Sequence, residues 1–136
     1  MVLIRDLIDR MEQILKGGSL VDLKFKTTKN LENNRLKATM LGTNCHWLNE
    51  EKSVLFILSS QGHTATLMSE TGFQLPEDSS SLFRRIRCFR SIDFSDTDTG
   101  GVTNMSQMFE GSYVQALNLS SFNTQNVTDM SGMFAY

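Results

Sequence analysis

The 136-residue chain holds one proline, two cysteines, one tryptophan and two tyrosines, and carries no long apolar run. Each scarcity removes a class of protein. Two cysteines, Cys45 and Cys88, are too few for the disulfide framework of a small secreted scaffold and are expected as reduced thiols in the core. No run reaches the length of a membrane-crossing helix. A secretory leader needs an unbroken apolar stretch behind a basic start, and Arg5, Asp6, Asp9 and Arg10 interrupt the first apolar residues. As written, the chain reads as cytoplasmic; as a fragment of a larger exported protein, it would belong at the cell surface.

Charge of one sign is also missing. Thirteen basic residues stand against 15 acidic ones, a net charge of −2, so no broad footprint for nucleic acid or anionic lipid is present. Phosphate-cradling glycine loops, a nucleophile elbow and aromatics on a basic sheet are absent as well. An enzyme is not expected, and no cofactor is implied. Hydrophobic residues at 40% and charged residues at 21% are ordinary for a folded chain, and the length suits one domain.

What the sequence does contain is an internal repeat. Val102-Thr-Asn-Met-Ser-Gln-Met-Phe109 returns as Val127-Thr-Asp-Met-Ser-Gly-Met-Phe134, with six of eight positions identical, and the 25-residue spacing extends without a gap back to Ile92-Asp-Phe-Ser and Leu117-Asn-Leu-Ser. A fixed period of this size is the mark of a stacked architecture. Each copy reads as a short strand (Ile92 and Phe94, or Leu117 and Leu119), a turn, and a short helix. There Met105, Met108 and Phe109, or Met130, Met133 and Phe134, share a face at i, i+3, i+4. Asn104 and Asp129 stand where an N-cap belongs, and Gln107 completes a capping-box pattern with Asn104. Ser79-Ser-Ser-Leu-Phe83 looks like a worn earlier copy.

Upstream, residues 2 to 16 place Leu3, Ile4, Leu7, Ile8, Met11, Ile14 and Leu15 on one helical face, stopped by Gly17-Gly18. Acidic residues on its polar face favour packing on its own domain over a membrane surface. From 20 to 75 the period becomes 2. Val21, Leu23 and Phe25, then Leu36, Ala38 and Met40 beyond Asn33-Asn34, predict a hairpin; further strands are predicted over 44 to 48, 53 to 58 and 63 to 68, separated by turns such as Ser59-Ser60-Gln61-Gly62. Val54-Leu-Phe-Ile-Leu58 should be a central strand covered on both faces. The expectation is an α+β fold: residues 1–75 as an N-terminal helix and small antiparallel sheet, capping about two and a half leucine-rich-type repeats over 76–136, all one continuous domain.

Ile92-Asp-Phe-Ser, the Asp98-Thr99 step, Val102 to Gly111 and Leu119 to Phe134 resemble the BspA-like leucine-rich repeat family of bacterial surface proteins, built on an approximately 25-residue Met-Phe repeat. Gly42 to Glu51 and Pro76 to Phe83 resemble the β-rich lead-in before such repeats. Family members usually carry Gly-Cys after the Met-Phe helix, where this chain has Gly111-Ser112 and then Ala135-Tyr136. The resemblance implies an adhesion or interaction module.

Among candidate chemistry, Cys45, His46, His63 and Cys88 lack the paired spacing of a zinc site, and neighbours 45 and 46 point to opposite faces of a strand, so neither a metal nor a Cys-His catalytic pair is expected. Asp93, Asp96 and Asp98 lack a calcium loop's terminal Glu and read as turn formers. The recurring Met105, Met108, Phe109, Leu117, Leu119, Met130, Met133 and Phe134 are expected as repeat core. Asn104-Met-Ser, Asn118-Leu-Ser and Asn126-Val-Thr fit the glycosylation sequon but follow from the repeat. Arg84, Arg85, Arg87 and Arg90 form the one dense basic run, either a grip for an acidic protein or phosphate backbone, or a solvated face. With Asp96 and Asp98 they are the candidate partner-binding residues.

The expected function is therefore non-enzymatic protein binding through the repeat loops and the arginine run. The alternative is a free-standing cytosolic inhibitor from a phage or mobile element, of the anti-CRISPR kind. Nucleic acid is not an expected partner except within a nucleoprotein target. The last Met-Phe segment, Met130 to Tyr136, is expected to leave an apolar edge, to be covered by a second copy in a homodimer or by the partner.

Overall fold

A computed structural model describes the chain except Gly17, Ser60, Gly62, Arg85, Tyr113, Asn118, Ser120 and Tyr136, and except the side chains of Phe89 and Ala116. Its elements run β1 (Val2–Leu3), α1 (Arg5–Leu15), β2 (Leu20–Thr27), α2 (Leu31–Met40), β3 (Asn44–Trp47), β4 (Leu55–Leu58), β5 (Thr64–Ser69), β6 (Phe73–Gln74), β7 (Cys88–Asp93), β8 (Thr97–Asp98) and β9 (Ala116–Leu117). The chain is α+β.

The amphipathic N-terminal segment forms α1, which buries Leu7, Ile8 and Met11 against the core. It ends at Leu15, and Lys16 turns left-handed (φ 51°) while its N–H donates to Glu12 O. The expected stop at Gly17 falls outside the described residues.

The predicted hairpin does not form. Residues 31–40 are the helix α2: the Asn30 side chain caps it by accepting from Asn33 N at 3.1 Å, Glu32 and Lys37 sit at its N- and C-terminal turns with the favoured signs, and only Leu31 and Ala38 are buried. The strand β2 pairs in parallel with β5 on one side and β7 on the other. The larger sheet is accordingly mixed rather than antiparallel, in the order β3-β4-β5-β2-β7-β9, with antiparallel pairing at β3-β4-β5 and parallel pairing from β5 to β9. The central places go to β5 and β2. The apolar run over 54 to 58 lies one strand in from the edge as β4, with Val54, Leu55 and Phe56 buried and Ile57 and Leu58 half-buried.

A second, all-parallel sheet joins β1, β6 and β8, so that Val2, Phe73 and Thr97 stand in one row. In the larger sheet Leu23, Ile92 and Leu117 form another row. A third row is made by backbone bridges linking Asp78, Asn104 and Asp129. Successive passes of the chain are thus stacked in parallel, with β1-α1-β2 laid on as a first pass in which α1 stands where later passes have a turn.

One contiguous core runs from Ile4 to Met133. Its centre is a set of phenylalanines. Phe25 meets Phe73, Phe83 and Phe94 at centroid separations of 5.4, 6.1 and 5.7 Å, which ties the lead-in directly to the stacked passes. Cys88 is buried in this core and Cys45 is partly exposed, both as free thiols. Among the described residues, no helix is long and apolar enough to cross a membrane.

A candidate protein-binding edge

The site begins with a six-residue pattern, Asp78-Ser-Ser-Ser-Leu-Phe83, Asn104-Met-Ser-Gln-Met-Phe109 and Asp129-Met-Ser-Gly-Met-Phe134. In each copy the first side chain folds back on the third residue. The Oδ1 of Asp78, Asn104 and Asp129 accepts from the backbone N of Ser80, Ser106 and Ser131 at 3.0, 2.9 and 2.9 Å, and from their hydroxyls at 2.6, 2.7 and 2.7 Å. Hydrogen bonds from these serines hold the Asp78 and Asp129 carboxyls below the usual carboxylate range.

The fourth residue of the pattern explains why no helix forms. Ser81, Gln107 and Gly132 have φ of 57°, 55° and 62°, left-handed backbone that breaks an α-helix after half a turn. The predicted Met-Phe helices are therefore compact turns, and Asn104 closes a local side-chain turn with Ser106 instead of a capping box with Gln107.

From the second residue of each turn onward, the turns stack through a ladder that runs one way. The N–H groups of Ser79, Ser81 and Phe83 donate to the carbonyls of Asn104, Ser106 and Met108 at 2.9, 3.0 and 3.0 Å; those of Met105, Gln107, Phe109 and Gly111 donate to Asp129, Ser131, Met133 and Ala135 at 2.8 to 2.9 Å. Phe83, Phe109 and Phe134 lie ring on ring, at 5.6 and 5.8 Å with 6° between planes in both pairs.

Burial along the ladder ends abruptly. Met105, Met108 and Phe109 are buried, as the repeat phase implied. In the last turn Met133 is buried, but Met130 is 47% and Phe134 56% exposed, so these two correct the expectation of a repeat core: their inner faces pack on the preceding turn and nothing described covers the outer ones. Leu117 and Leu119 are half-buried. Among the described residues, no acceptor meets the N–H groups of Met130, Gly132 and Phe134, whose counterparts in the earlier turns are all paired. One half-exposed ring and one half-exposed methionine thus stand beside three backbone donors without a described acceptor, the features of an unpaired edge.

Two of the described arginines of the run are held by carboxylates of this chain. Arg84 Nη2 lies 3.5 Å from Glu110 Oε1, a turn-to-turn contact. Arg90 lies on β7 and grips Asp22 of β2 with two nitrogens, Nε to Oδ1 at 3.1 Å and Nη2 to Oδ2, while the Ser91 hydroxyl donates to the same carboxylate at 2.6 Å. Those bonds, Arg90 first, hold Asp22 below the usual range although it is buried. Arg87 is exposed, and Arg85 lies outside the described residues. Asp96 accepts from Thr27 N at 2.8 Å and Asp98 from Gly100 N at 2.9 Å, so both fix backbone.

Residues 77–136, the stretch that contains all three turns, match the family described as "Mycoplasma protein of unknown function, DUF285". No match was found among curated proteins or among solved structures.

Two clefts lie away from the turns. One of about 470 Å³ is lined by Trp47, Glu51 and Glu70 at the start of α2, where Glu70 Oε2 already takes the N–H of Leu31 at 3.1 Å. The other, about 310 Å³, contains Cys45 and His46. Among the described residues, no three His, Cys, Asp or Glu side chains gather closely enough to hold a metal ion.

The Met-Phe phase was legible in the sequence and located the stacked turns. What it missed is Arg5: its guanidinium donates to the carbonyls of Asp78 and, at 3.3 Å, Ser80, closing the opposite end of the stack. A single arginine on an amphipathic helix carries no sequence signal of that partnership.

Proposed function

We propose that the chain is a non-enzymatic protein-binding module of leucine-rich type, about two and a half repeats of the BspA-like pattern mounted on a helix-and-sheet cap. It binds its partner through the exposed edge of the last turn. The carrying observation is the outer surface of Met130 and Phe134, 47% and 56% exposed beside unpaired donors. Aromatic and methionine side chains are enriched in protein interfaces relative to the rest of the surface. Among the described arginines of the run, Arg84 and Arg87 are the ones that would contribute, since Arg90 is committed to Asp22.

The test is a capture experiment with three baits: the unaltered chain, Met130→Ser/Phe134→Ser, and Arg84→Glu/Arg87→Glu. Expected is one protein recovered by the first and at least tenfold less by the second. Equal recovery by all three would remove both surfaces from the function.

A further inference from the structure

The ladder between turns has a direction, and the direction restricts what can sit on its open end. Between the six-residue turns themselves the bonds run from an N–H of the earlier turn to a carbonyl of the later one; only where the chain enters a turn does the direction reverse, Thr103 and Asn104 N–H donating to Glu77 O and Thr128 N–H to Thr103 O. A stack built this way has an acceptor end and a donor end. At the acceptor end, the carbonyls of Asp78 and Ser80 are taken by Arg5 from α1, whose five N–H donors replace an earlier turn. At the donor end, Met130, Gly132 and Phe134 present three N–H groups at alternate residues, beside a flat Phe134 ring continuing the row of Phe83 and Phe109.

A second copy of the chain fits this end poorly. Tail to tail, donors would face donors, and an unmade buried hydrogen bond costs about 1–3 kcal/mol each. Head to tail, the copy would have to surrender Arg5 and lift α1, which buries Leu7, Ile8 and Met11. The occupant must instead bring carbonyls at alternate positions of a compact turn, with an aromatic side chain to lie on Phe134. The chain shows twice what meets that description: the turn at Asn104 covers the one at Asp78, and the turn at Asp129 covers the one at Asn104.

Resting on the protein-binding reading above, we propose that the donor end accepts, in parallel register, an Asx-x-Ser-x-Met-Phe turn as its occupant. Specificity arises from three features of that turn. Its Asx side chain locks the shape by bonding the Ser two residues on, its carbonyls take the three donors, and its Phe extends the ring stack. A left-handed residue at the fourth position is required, so Gly, Asn or a tolerated polar residue stands there and a β-branched one does not.

The probe is a fluorescent synthetic peptide with the sequence of residues 102–126 of this chain, one full 25-residue interval, titrated against the intact protein. Binding is expected to weaken about tenfold or more with Phe134→Ala in the protein, and to be lost when the peptide carries both Asn104→Ala and Phe109→Ala. Bound peptide should slow amide hydrogen exchange at Met130, Gly132 and Phe134 and leave Met105, Gln107 and Phe109 unchanged. The inference is overturned if the peptide does not bind, or if it binds without protecting those three amides. A concentration-dependent dimer in sedimentation that Phe134→Ala abolishes also overturns it, because a second copy then occupies the edge. The capture experiment is independent of this probe: a partner lost with Met130→Ser/Phe134→Ser, together with a peptide that fails, retains the binding surface and rejects only the turn as its occupant.

Discussion

At the scale of single residues, the left-handed fourth position of each turn is the most economical statement of how this chain differs from a helical one. Gly132 adopts φ of 62° without a side-chain cost, whereas Gln107 holds φ of 55° with a Cβ, at a penalty of roughly 1–2 kcal/mol. Gln107 is exposed and its backbone bonds do not depend on its side chain. Gln107→Gly should therefore stabilise the fold, by up to about 1 kcal/mol in urea unfolding once the extra freedom of the unfolded chain is offset. Titration provides a second check. Asp93 is drawn down to about 2, first by the Lys26 ammonium at 2.7 Å and then by the backbone N–H of Ser95. A depressed folded-state pKa gives stability that is present above the ordinary value of 3.8 and lost as pH falls through about 2. Lys26→Met should narrow the stability gained between pH 2 and pH 5 relative to the unaltered chain, by a modest amount since both side chains are over a third exposed. The thiols should separate likewise. Burial pushes Cys88 up to about 11, so iodoacetamide should label Cys45 in the native protein and reach Cys88 only on unfolding.

At the scale of elements, the middle turn is covered on both sides and the last on one. Phe109, 2% exposed, lies between Phe83 and Phe134 and meets Phe94 edge-on at 5.9 Å. Phe109→Ala should cost about 3–5 kcal/mol in chemical unfolding, and Phe134→Ala, already half in solvent, about 1 kcal/mol or less. Equal losses would mean that the last turn is as enclosed as the one before it. The recurrence of Met and Phe made these turns legible, because only a common inward direction repeats so faithfully at one phase. Their backbone was not legible. The i, i+3, i+4 spacing suits a helix and equally a tight turn, and only the left-handed fourth residue separates the two. Residues 31–40 were misleading for a related reason. Leu36, Ala38 and Met40 alternate as in a strand, yet Leu36 and Met40 are exposed on α2 and the decisive signal was the Asn30 cap three residues ahead of Asn33.

For the whole molecule, the lead-in and the turns are expected to unfold as a single cooperative unit. The β2 strand stands between β5 and β7, so one of its two neighbouring strands lies beyond residue 75, and Phe25 packs on Phe83 and Phe94. A fragment of residues 1–75 should show no cooperative thermal transition by circular dichroism, while the full chain shows one. Composition and strand count were enough to read α+β in the sequence. The parallel stacking was not, because it depends on β1-α1-β2 taking the first place in rows that the later passes complete. Among the candidate site residues, two of the neighbouring arginines hold different carboxylates: Arg84 faces Glu110 and Arg90 faces Asp22. The Met-Phe phase did announce the turn that carries the edge at Met130 and Phe134. The most direct measurement of that edge is residue-resolved amide hydrogen exchange on the free protein. The N–H groups of Met105, Gln107 and Phe109 should exchange at least a hundredfold more slowly than those of Met130, Gly132 and Phe134, which should exchange close to the rate of an open chain. Equal protection of the two sets would show the donor end already covered, and would contradict the account of it as the binding edge.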